Sequence, residues 1–228
     1  MRPTVLLFDV DGTLVTTGGV GRRSLEKAFE RRHLRSDACA SFRLDGMTDR
    51  AIVRQGLLAI GKEPTEPAID ELLGVYVGVL EAEVAAADMS RYRVHSGMEQ
   101  ALDAARARGC AIGLGTGNIQ EGARVKLSRV GLYQRFAFGG FGDDHENRVE
   151  LIRVGAERGA RALGKRREEC RVVVVGDTPK DAAAAIGIGA ECVGVGTGSF
   201  RPPQLVAAGA THAFDDLSVP GAVAALLG

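Results

Sequence analysis

Two uninterrupted apolar segments, each followed at once by acidic residues, constrain the fold of this chain more than any other feature. Residues 5–8 read VLLF and precede Asp9 and Asp11, and residues 172–175 read VVVV and precede Asp177. Continuous apolar runs of this length are typical of parallel strands that are buried on both faces. Buried carboxylates are costly unless they are paired or bind a metal. The acids at these strand ends therefore indicate a functional site.

Strand-like and helix-like segments alternate in the part of the chain that follows Val94. The strand-like segments are short and apolar: 110–114, 136–141, 171–177 and 191–196. Helical segments separate them, as in 148–163 and in the alanine-rich DAAAAIG. A strand followed by a helix at this spacing is typical of parallel sheets with helices on both faces. The sequence therefore predicts the α/β class, with a doubly wound parallel sheet and a Rossmann-like core.

Residues 16–90 interrupt this alternation. Three segments in this stretch have helical apolar spacing: 20–34, 48–60 and 67–87. No strand is predicted between these helices, and the chain is expected to return to the sheet domain near residues 89–95. We therefore expect an α/β catalytic core made of residues 1–15 and 91–228, with an inserted all-helical domain made of residues 16–90.

Charge and composition argue against several classes of protein. The chain carries 29 lysines and arginines against 29 acidic residues, which indicates no basic surface for nucleic acid. No apolar run reaches the roughly 20 residues that cross a membrane, and Asp9 and Asp11 interrupt the apolar N-terminal stretch, so we expect neither a membrane span nor a signal peptide. The four cysteines are scattered, which favours reduced thiols. We expect a cytoplasmic monomer or homodimer that binds neither nucleic acid nor membranes.

Polar residues of a matching kind follow three of the predicted strands. Asp9 and Asp11 are two residues apart, so in an extended chain they point to the same side. Together with Asp177 they form a set of hard oxygen ligands that suits Mg²⁺. Thr116 offers a hydroxyl, and Gly117 lets backbone N–H groups approach an anion at the start of a helix. Because ligands of α/β sheets bind at the carboxyl ends of the strands, we expect these residues to meet.

Three segments resemble the first, second and fourth motifs of the haloacid dehalogenase superfamily, in the order of the family: VLLFDVDGTL, GLGTGN and VVVVGDTPKD. The segments TTGGVGRR and GMTD, the latter at 46–49, are similar to those of phosphoglycolate-phosphatase-like members. The resemblance covers the whole chain. It implies that residues 16–90 are the helical cap that such members carry after their first strand.

The resemblance also implies a role for each motif residue. Asp9 would be the nucleophile that forms an aspartyl-phosphate, and Asp11 the general acid and then the general base. Asp9, the backbone carbonyl of Asp11 and Asp177 would hold Mg²⁺, with Asp181 as a supporting metal-site residue. Other residues would contact the phosphate: Gly12, Thr116, Gly117 and Asn118.

The third motif of the family, a lysine before the strand that ends in the GD motif, has no lysine match in this sequence. The segment GDDHENRVELIR occupies that place, and Arg148 stands where the lysine would fall. Arginine can clamp a phosphate, although its rigid fork differs from a point charge. Arg148 is therefore the favoured catalytic and phosphate-binding cation. Lys126 is the alternative, although it is expected to be a solvated surface residue.

The leading functional hypothesis is a Mg²⁺-dependent phosphatase that acts on a small phosphorylated metabolite, such as phosphoglycolate or a sugar phosphate. The alternatives are a phosphosugar mutase, whose cap must exclude water and hold a bisphosphate, and a catalytically weak regulator that binds phosphate or metal. Arg22, Arg23 and Arg50 are candidates to meet the substrate from the cap, but each is expected to be a solvated helix residue. The sequence does not identify the substrate, because the cap determines it.

Overall fold

A parallel sheet of six strands forms the centre of the fold in a computed structural model of the protein, which describes residues 2–228. The strands of the chain are β1 (Thr4–Phe8), β2 (Val15–Thr17), β3 (Tyr92–Val94), β4 (Ala111–Gly115), β5 (Phe138–Gly140), β6 (Arg171–Gly176), β7 (Glu191–Val195) and β8 (His212–Phe214). The main sheet has the order β5-β4-β1-β6-β7-β8, and all of its neighbouring strands run parallel.

Helices cover both faces of this sheet. The helices of the whole described chain, of which α1–α3 belong to the insertion and do not cover the sheet, are α1 (Val20–His33), α2 (Asp49–Ala59), α3 (Glu66–Ala85), α4 (Met98–Ala107), α5 (Gln120–Ser128), α6 (Arg148–Ala162), α7 (Pro179–Gly187), α8 (Pro202–Ala207) and α9 (Ala222–Leu227). Short 3₁₀ helices are found at Tyr133–Arg135 and Arg167–Glu169. The prediction of a doubly wound α/β fold is confirmed.

The central strand β1 shows why the sheet is covered on both faces. All of its residues are buried, as the apolar run VLLF predicts. Successive side chains of a strand point to opposite faces. Leu6 and Phe8 accordingly belong to one apolar cluster, whereas Val5 and Leu7 belong to another. The strand order changes direction at β1, and ligands of open α/β sheets bind beside such a point.

Helices α1–α3 pack around an apolar cluster of their own, which includes Phe29, Leu72 and Tyr76. Thr48 and Thr65 cap α2 and α3, because their side chains accept hydrogen bonds from the backbone N–H groups of the first helical turns. The helices predicted in this part of the chain are therefore present, with ends that differ by a few residues. None of the helices in residues 2–228 is both long and apolar enough to span a membrane.

No strand lies between α1, α2 and α3, as predicted, but residues 16 and 17 belong to β2, a strand ahead of α1 that was not predicted. This strand pairs antiparallel with β3 in a separate ribbon of two strands, so residues 89–95 do not return directly to the main sheet. Strands of three residues are too short to give a clear periodic signal. The division into a core and a cap at residues 15 and 91 stays a prediction.

Candidate active site

The carboxyl ends of three adjacent strands bring the predicted site residues together. Asp9, Thr116 and Asp177 each directly follow a strand, namely β1, β4 and β6. These three strands are neighbours in the sheet, with β1 in the middle. All three side chains are buried, with relative exposures of 6%, 0% and 4% respectively. A parallel sheet thus converts three separate sequence motifs into one site.

Three buried carboxylates form the centre of this site. Asp9, Asp177 and Asp181 each present an oxygen, and these oxygens lie within 4.8 Å of one another. Asp181 reaches the site from the first turn of α7 and is completely buried. The carboxylate of Asp11 is not part of this group. A metal role for Asp11 would therefore use its backbone carbonyl, as the resemblance implies.

Arg148 supplies a buried positive charge beside these acids. Its Nη2 lies 3.1 Å from Oδ1 of Asp9 and 2.6 Å from Oδ1 of Asp181. Its Nε also donates a hydrogen bond of 3.0 Å to Oδ1 of Asp181. The residue begins α6, and Asn147 caps that helix by accepting a hydrogen bond from the N–H of Val149. The planar guanidinium can therefore bridge a carboxylate at the end of β1 and one in the first turn of α7.

Burial and neighbouring charges shift the pKa values of Asp9, Asp177 and Arg148. Burial raises the pKa of Asp9 to about 6, although the charge of Arg148 and the nearby Thr116 hydroxyl lower it. Burial also raises the pKa of Asp177 well above its usual value, and the charges of Asp181 and Asp9 raise it further. Burial opposes the charge of Arg148, but Asp181 and Asp9 raise its pKa above the usual value. The single positive charge of Arg148 therefore faces the carboxyl groups of Asp9, Asp177 and Asp181, so the buried site has excess negative charge.

This donor set fits a divalent cation such as Mg²⁺. Both oxygens of Asp181 are already engaged, Oδ1 with Arg148 and Oδ2 with the backbone N–H and hydroxyl of Thr178. Oδ2 of Asp177 has no hydrogen-bond partner among residues 2–228, and Asp9 is contacted by Arg148 and the Thr116 hydroxyl but lines the cavity. Mg²⁺ takes one or two carboxylates and leaves its other positions to water and phosphate oxygens. Asp9 and Asp177 would therefore hold the ion, and Asp181 would act through Arg148.

Small residues shape the space around Asp177. Thr13 donates a hydrogen bond of 3.0 Å to Oδ1 of Asp177. A side chain on Gly12 or Gly198 would collide with Oδ2 of Asp177, since a Cβ atom would lie 2.5 Å or 1.8 Å from it. Gly12 also has a φ of +81°, which favours glycine. Gly12 is predicted from the sequence to bind phosphate. In the structure, its lack of a side chain leaves room for the carboxylate of Asp177.

Asp11 lies beside the acid cluster and is held by two different side chains. Its Oδ2 accepts hydrogen bonds of 2.6 Å from Nζ of Lys126 and 2.9 Å from Nδ2 of Asn118. Asn118 also accepts a hydrogen bond of 2.6 Å from the same ammonium group. Both contacts to Asp11 use Oδ2, so Oδ1 remains available for proton transfer. Asn118 therefore positions Asp11, a contact that its sequence assignment to phosphate binding did not include.

Lys126 is not a solvated surface residue, and that expectation was wrong. Its side chain is only 4% exposed. Burial opposes its charge, but Asp11, Tyr76 and Asp49 raise its pKa above the usual value. Helix α3 packs against α5 and covers this lysine. Ile119, Gly122 and Ala123 precede it at helical spacing and are buried too, a signal in the sequence that indicated a buried face.

The second motif, GLGTGN, contacts the helical insertion as well as the sheet. The backbone N–H of Asp49 donates a hydrogen bond of 2.8 Å to the carbonyl of Gly117. A Cβ atom on Gly117 would lie 2.5 Å from the carbonyl oxygen of Met47. The carboxylate of Asp49 accepts a hydrogen bond of 2.9 Å from the N–H of Ile119, at the start of α5. Gly117 thus allows the insertion to approach closely, a role that the sequence analysis did not predict.

A cavity of about 510 Å³ lies between the insertion and the strand ends, and Asp9, Asp11 and Asp177 line it. Of the three arginines considered in the cap, Arg22 also lines it. Arg23 and Arg50 instead form ion pairs with acids of α3 and its N-terminus. The position of this cavity is that expected for a small ligand at the switch point of an α/β sheet.

A family model for haloacid dehalogenase-like hydrolases matches residues 3–189 of this sequence. The match covers the first strand, the insertion and the strand that carries Asp177. The chain belongs to the haloacid dehalogenase-like hydrolase family. The predictions of the family and of a hydrolase enzyme are therefore confirmed. No curated protein is significantly similar to the chain.

Solved structures of this hydrolase fold are similar over nearly the whole length of the chain. CbbY from Rhodobacter sphaeroides in complex with phosphate is 17% identical, with 97% of each chain covered and a TM-score of 0.70. A predicted phosphoglycolate phosphatase from Haemophilus somnus is 17% identical, with 96% of each chain covered and a TM-score of 0.69. A β-phosphoglucomutase from Clostridium difficile is 16% identical, with 93% and 91% covered and a TM-score of 0.69. At these identities the similarity shows the fold alone.

Proposed function

We propose that this hydrolase is a Mg²⁺-dependent phosphatase that acts on a small phosphorylated metabolite through an aspartyl-phosphate intermediate. The observation that carries the proposal is the group of three buried carboxylates beside Arg148, of which Asp9 and Asp177 line the cavity together with Arg148. Its excess negative charge suits a divalent cation, and its buried Asp9 is a nucleophile at the cavity wall. The similarity to a phosphate complex and to a predicted phosphatase supports the same class of substrate.

The first chemical step transfers the phosphoryl group to Asp9. Its free carboxylate oxygen forms a bond to phosphorus while the bond from phosphorus to the ester oxygen breaks. Asp11 donates a proton to that leaving oxygen. Arg148 keeps Asp9 oriented and offers a donor to the phosphoryl oxygens. Asp9 and Asp177 would hold Mg²⁺, which would supply positive charge that offsets the repulsion between the nucleophile and the phosphate.

The second step hydrolyses the aspartyl-phosphate. Asp11, now without its proton, accepts a proton from a water molecule, whose oxygen attacks phosphorus and releases Asp9 and inorganic phosphate. The contacts of Lys126 and Asn118 to Oδ2 leave Oδ1 of Asp11 for both proton transfers. We propose that residues 16–90 act as the cap that covers the leaving group. Cap contacts to the second motif, through Asp49 and Gly117, would close the cavity around the substrate.

The cations that line the cavity favour a phosphatase over a phosphosugar mutase. A bisphosphate needs a second site of positive charge, away from Asp9. Among residues 2–228, Arg22, Lys126 and Arg148 are the lysines and arginines that line the cavity. Lys126 and Arg148 are bound to carboxylates, which leaves the half-exposed Arg22 for a second phosphate. The regulator hypothesis rested on the missing lysine of the third motif, and Arg148 supplies a cation beside Asp9.

Hydrolysis of an aryl phosphate such as p-nitrophenyl phosphate tests this proposal directly. We expect turnover that requires Mg²⁺, is lost after treatment with a chelator and returns when Mg²⁺ is added. We expect Ca²⁺ to inhibit, because it prefers more ligands in a looser geometry than Asp9 and Asp177 offer. The measurement is the steady-state rate at increasing concentrations of each ion. An unchanged rate in chelator-treated protein would contradict the metal assignment, and no turnover with any ion would contradict the enzyme.

Lys126 provides a separate prediction about the proton-transfer step. Lys126→Met removes the ammonium group that holds Asp11, so we expect kcat to fall on the order of tenfold, with a smaller change in KM. Lys165→Met is the matched control, because Lys165 is exposed on the surface. Circular dichroism would verify that both variants fold. Equal rates for the wild type and Lys126→Met would show that Asp11 does not depend on this contact.

A further inference from the structure

A buried hydroxyl without a partner lies at the cap side of the cavity. Tyr76 of α3 is completely buried and lines the cavity. Its Oη atom has no hydrogen-bond partner of good geometry among the residues that the structure describes, although the ammonium of Lys126 lies close enough to interact with it. Leaving a buried polar group unpaired is unfavourable. Such a group in the wall of a substrate cavity is therefore a candidate for contact with a ligand.

The first turn of α1 leaves space next to this hydroxyl. A Cβ atom on Gly21 would lie 3.2 Å from Nζ of Lys126 and 4.0 Å from Oη of Tyr76. The ammonium and the hydroxyl thus border the same small space, which the absence of a side chain on Gly21 keeps open. An ammonium group has three donors. Asp11 and Asn118 accept two of those of Lys126, which leaves one N–H for Tyr76 or for a ligand.

Asp49 completes the polar wall on the cap side. It lines the cavity, and its Oδ2 accepts the N–H of Ile119. Within residues 2–228, no hydrogen bond is made by its Oδ1. The charges of Asp49, Lys126 and Asp11 all lie close enough to Tyr76 to affect the pKa of its hydroxyl. The wall therefore offers an N–H donor, a carboxylate acceptor and a hydroxyl that can do both.

The charges of this wall indicate the chemical class of the group that it binds. Lys126 carries one positive charge and Asp49 one negative charge, and Asp11 holds a proton before the first step, so the wall has no net positive charge and does not favour a second anionic group. A neutral hydroxyl matches it better, because a hydroxyl accepts from an ammonium and donates to a carboxylate at the same time. The remaining cation of the cavity, Arg22, already pairs with Glu26 at 3.5 Å.

We propose that Tyr76, Asp49 and Lys126 form a subsite that binds a hydroxyl group of the alcohol released by the enzyme. The substrate is then a monophosphate ester of a polyol or sugar, with a free hydroxyl near the ester oxygen. This inference rests on the proposed phosphatase function and adds the chemical class of its substrate. Tyr76 and Asp49 belong to the insertion and Lys126 to α5, so the subsite forms only where the two meet.

Three phosphate esters of similar size test the subsite: glycerol 3-phosphate, n-propyl phosphate and phosphoglycolate. All three carry the phosphate on a primary carbon. Glycerol 3-phosphate also carries hydroxyls, n-propyl phosphate has no further polar group, and phosphoglycolate carries a carboxylate. For the wild type we expect kcat/KM for glycerol 3-phosphate to exceed that for each of the others by about tenfold or more, as two or more hydrogen bonds provide. A preference for phosphoglycolate would place an anion in the subsite and overturn the inference.

Tyr76→Phe removes only the unpaired oxygen. We expect the ratio of kcat/KM for glycerol 3-phosphate to that for n-propyl phosphate to fall about five- to tenfold, mainly through KM. Thermal stability should not decrease, because the hydroxyl has no partner in the protein. Tyr92→Phe is the matched control: its hydroxyl donates a hydrogen bond of 2.6 Å to the carbonyl of Lys126 and does not line the cavity. This control should leave the ratio unchanged.

The outcomes separate the subsite from the function on which it rests. If Tyr76→Phe lowers kcat/KM for both esters in the same proportion, Tyr76 acts through Lys126 or the fold, and the subsite is wrong while the phosphatase stands. If the wild type hydrolyses none of the esters and no aryl phosphate, the proposed function fails and the subsite fails with it. A fall in the ratio that is confined to Tyr76→Phe supports both.

Discussion

Replacing Asp9 with asparagine is expected to abolish turnover of phosphate esters while the protein remains folded. An amide cannot form the bond to phosphorus that the carboxylate forms, so we expect a loss of more than about 10³-fold, or over 4 kcal/mol of barrier. The fold should tolerate the change, because asparagine has nearly the same shape and burial already disfavours the charge of Asp9. Steady-state turnover of an aryl phosphate with Mg²⁺ measures the effect.

A trapping experiment distinguishes loss of the nucleophile from general damage. Acid quenching of the wild type during turnover should leave a hydroxylamine-sensitive phosphoryl group on the protein, and Asp9→Asn should show none. Asp103→Asn is the matched control, since Asp103 lies on the exposed side of α4. Residual activity of Asp9→Asn within about tenfold of the wild type, or about 1.4 kcal/mol, would exclude the aspartyl-phosphate mechanism.

Arg148→Ala is expected to reduce kcat/KM on the order of 10²-fold, or about 2.7 kcal/mol, as the loss of one preorganised charged donor commonly does. Its guanidinium holds Asp9 and faces the place where phosphoryl oxygens would bind. Arg148→Lys should restore part of the activity, because it keeps the charge but loses the fork that bridges Asp9 and Asp181. The measurement is kcat/KM for the same ester with saturating Mg²⁺.

Arg148→Ala should also lower the free energy of unfolding, an effect that is not expected if Arg148 has a purely catalytic role. Asp181 is completely buried and its Oδ1 relies on Arg148, so removal of that partner should cost about 3–5 kcal/mol. Urea denaturation of Arg148→Ala, Arg148→Lys and Arg153→Ala would show this, since Arg153 lies on the same helix and is exposed. Kinetics are then compared only where each variant is folded. Wild-type activity in Arg148→Ala would move the third-motif role to Lys126.

Local sequence patterns were sufficient to predict the sheet and the meeting of the motifs. The runs VLLF and VVVV are apolar at every position, and only a strand covered on both faces buries such runs. Once β1, β4 and β6 are parallel neighbours, the residues that follow them must share one edge of the sheet. Asp9, Thr116 and Asp177 could therefore be placed together from the sequence, before any contact between them was known.

Contacts between the insertion and the core could not be predicted in the same way. The helical spacing of its neighbours could place Lys126 on a buried face, but the sequence does not show that α3 packs against this face or that Lys126 meets Asp11 there. Gly117 lies against the carbonyl of Met47, a residue far from it in the sequence. Tyr76, which is also far from the sequence motifs, lines the cavity with a hydroxyl that has no well-placed partner. The periodicity of a helix determines which face is apolar, but not which side chain of another element covers it. The sequence by itself thus determined the sheet and the acids at its edge. Tertiary packing decided which cations and hydroxyls surround those acids, because such contacts depend on how separate elements dock.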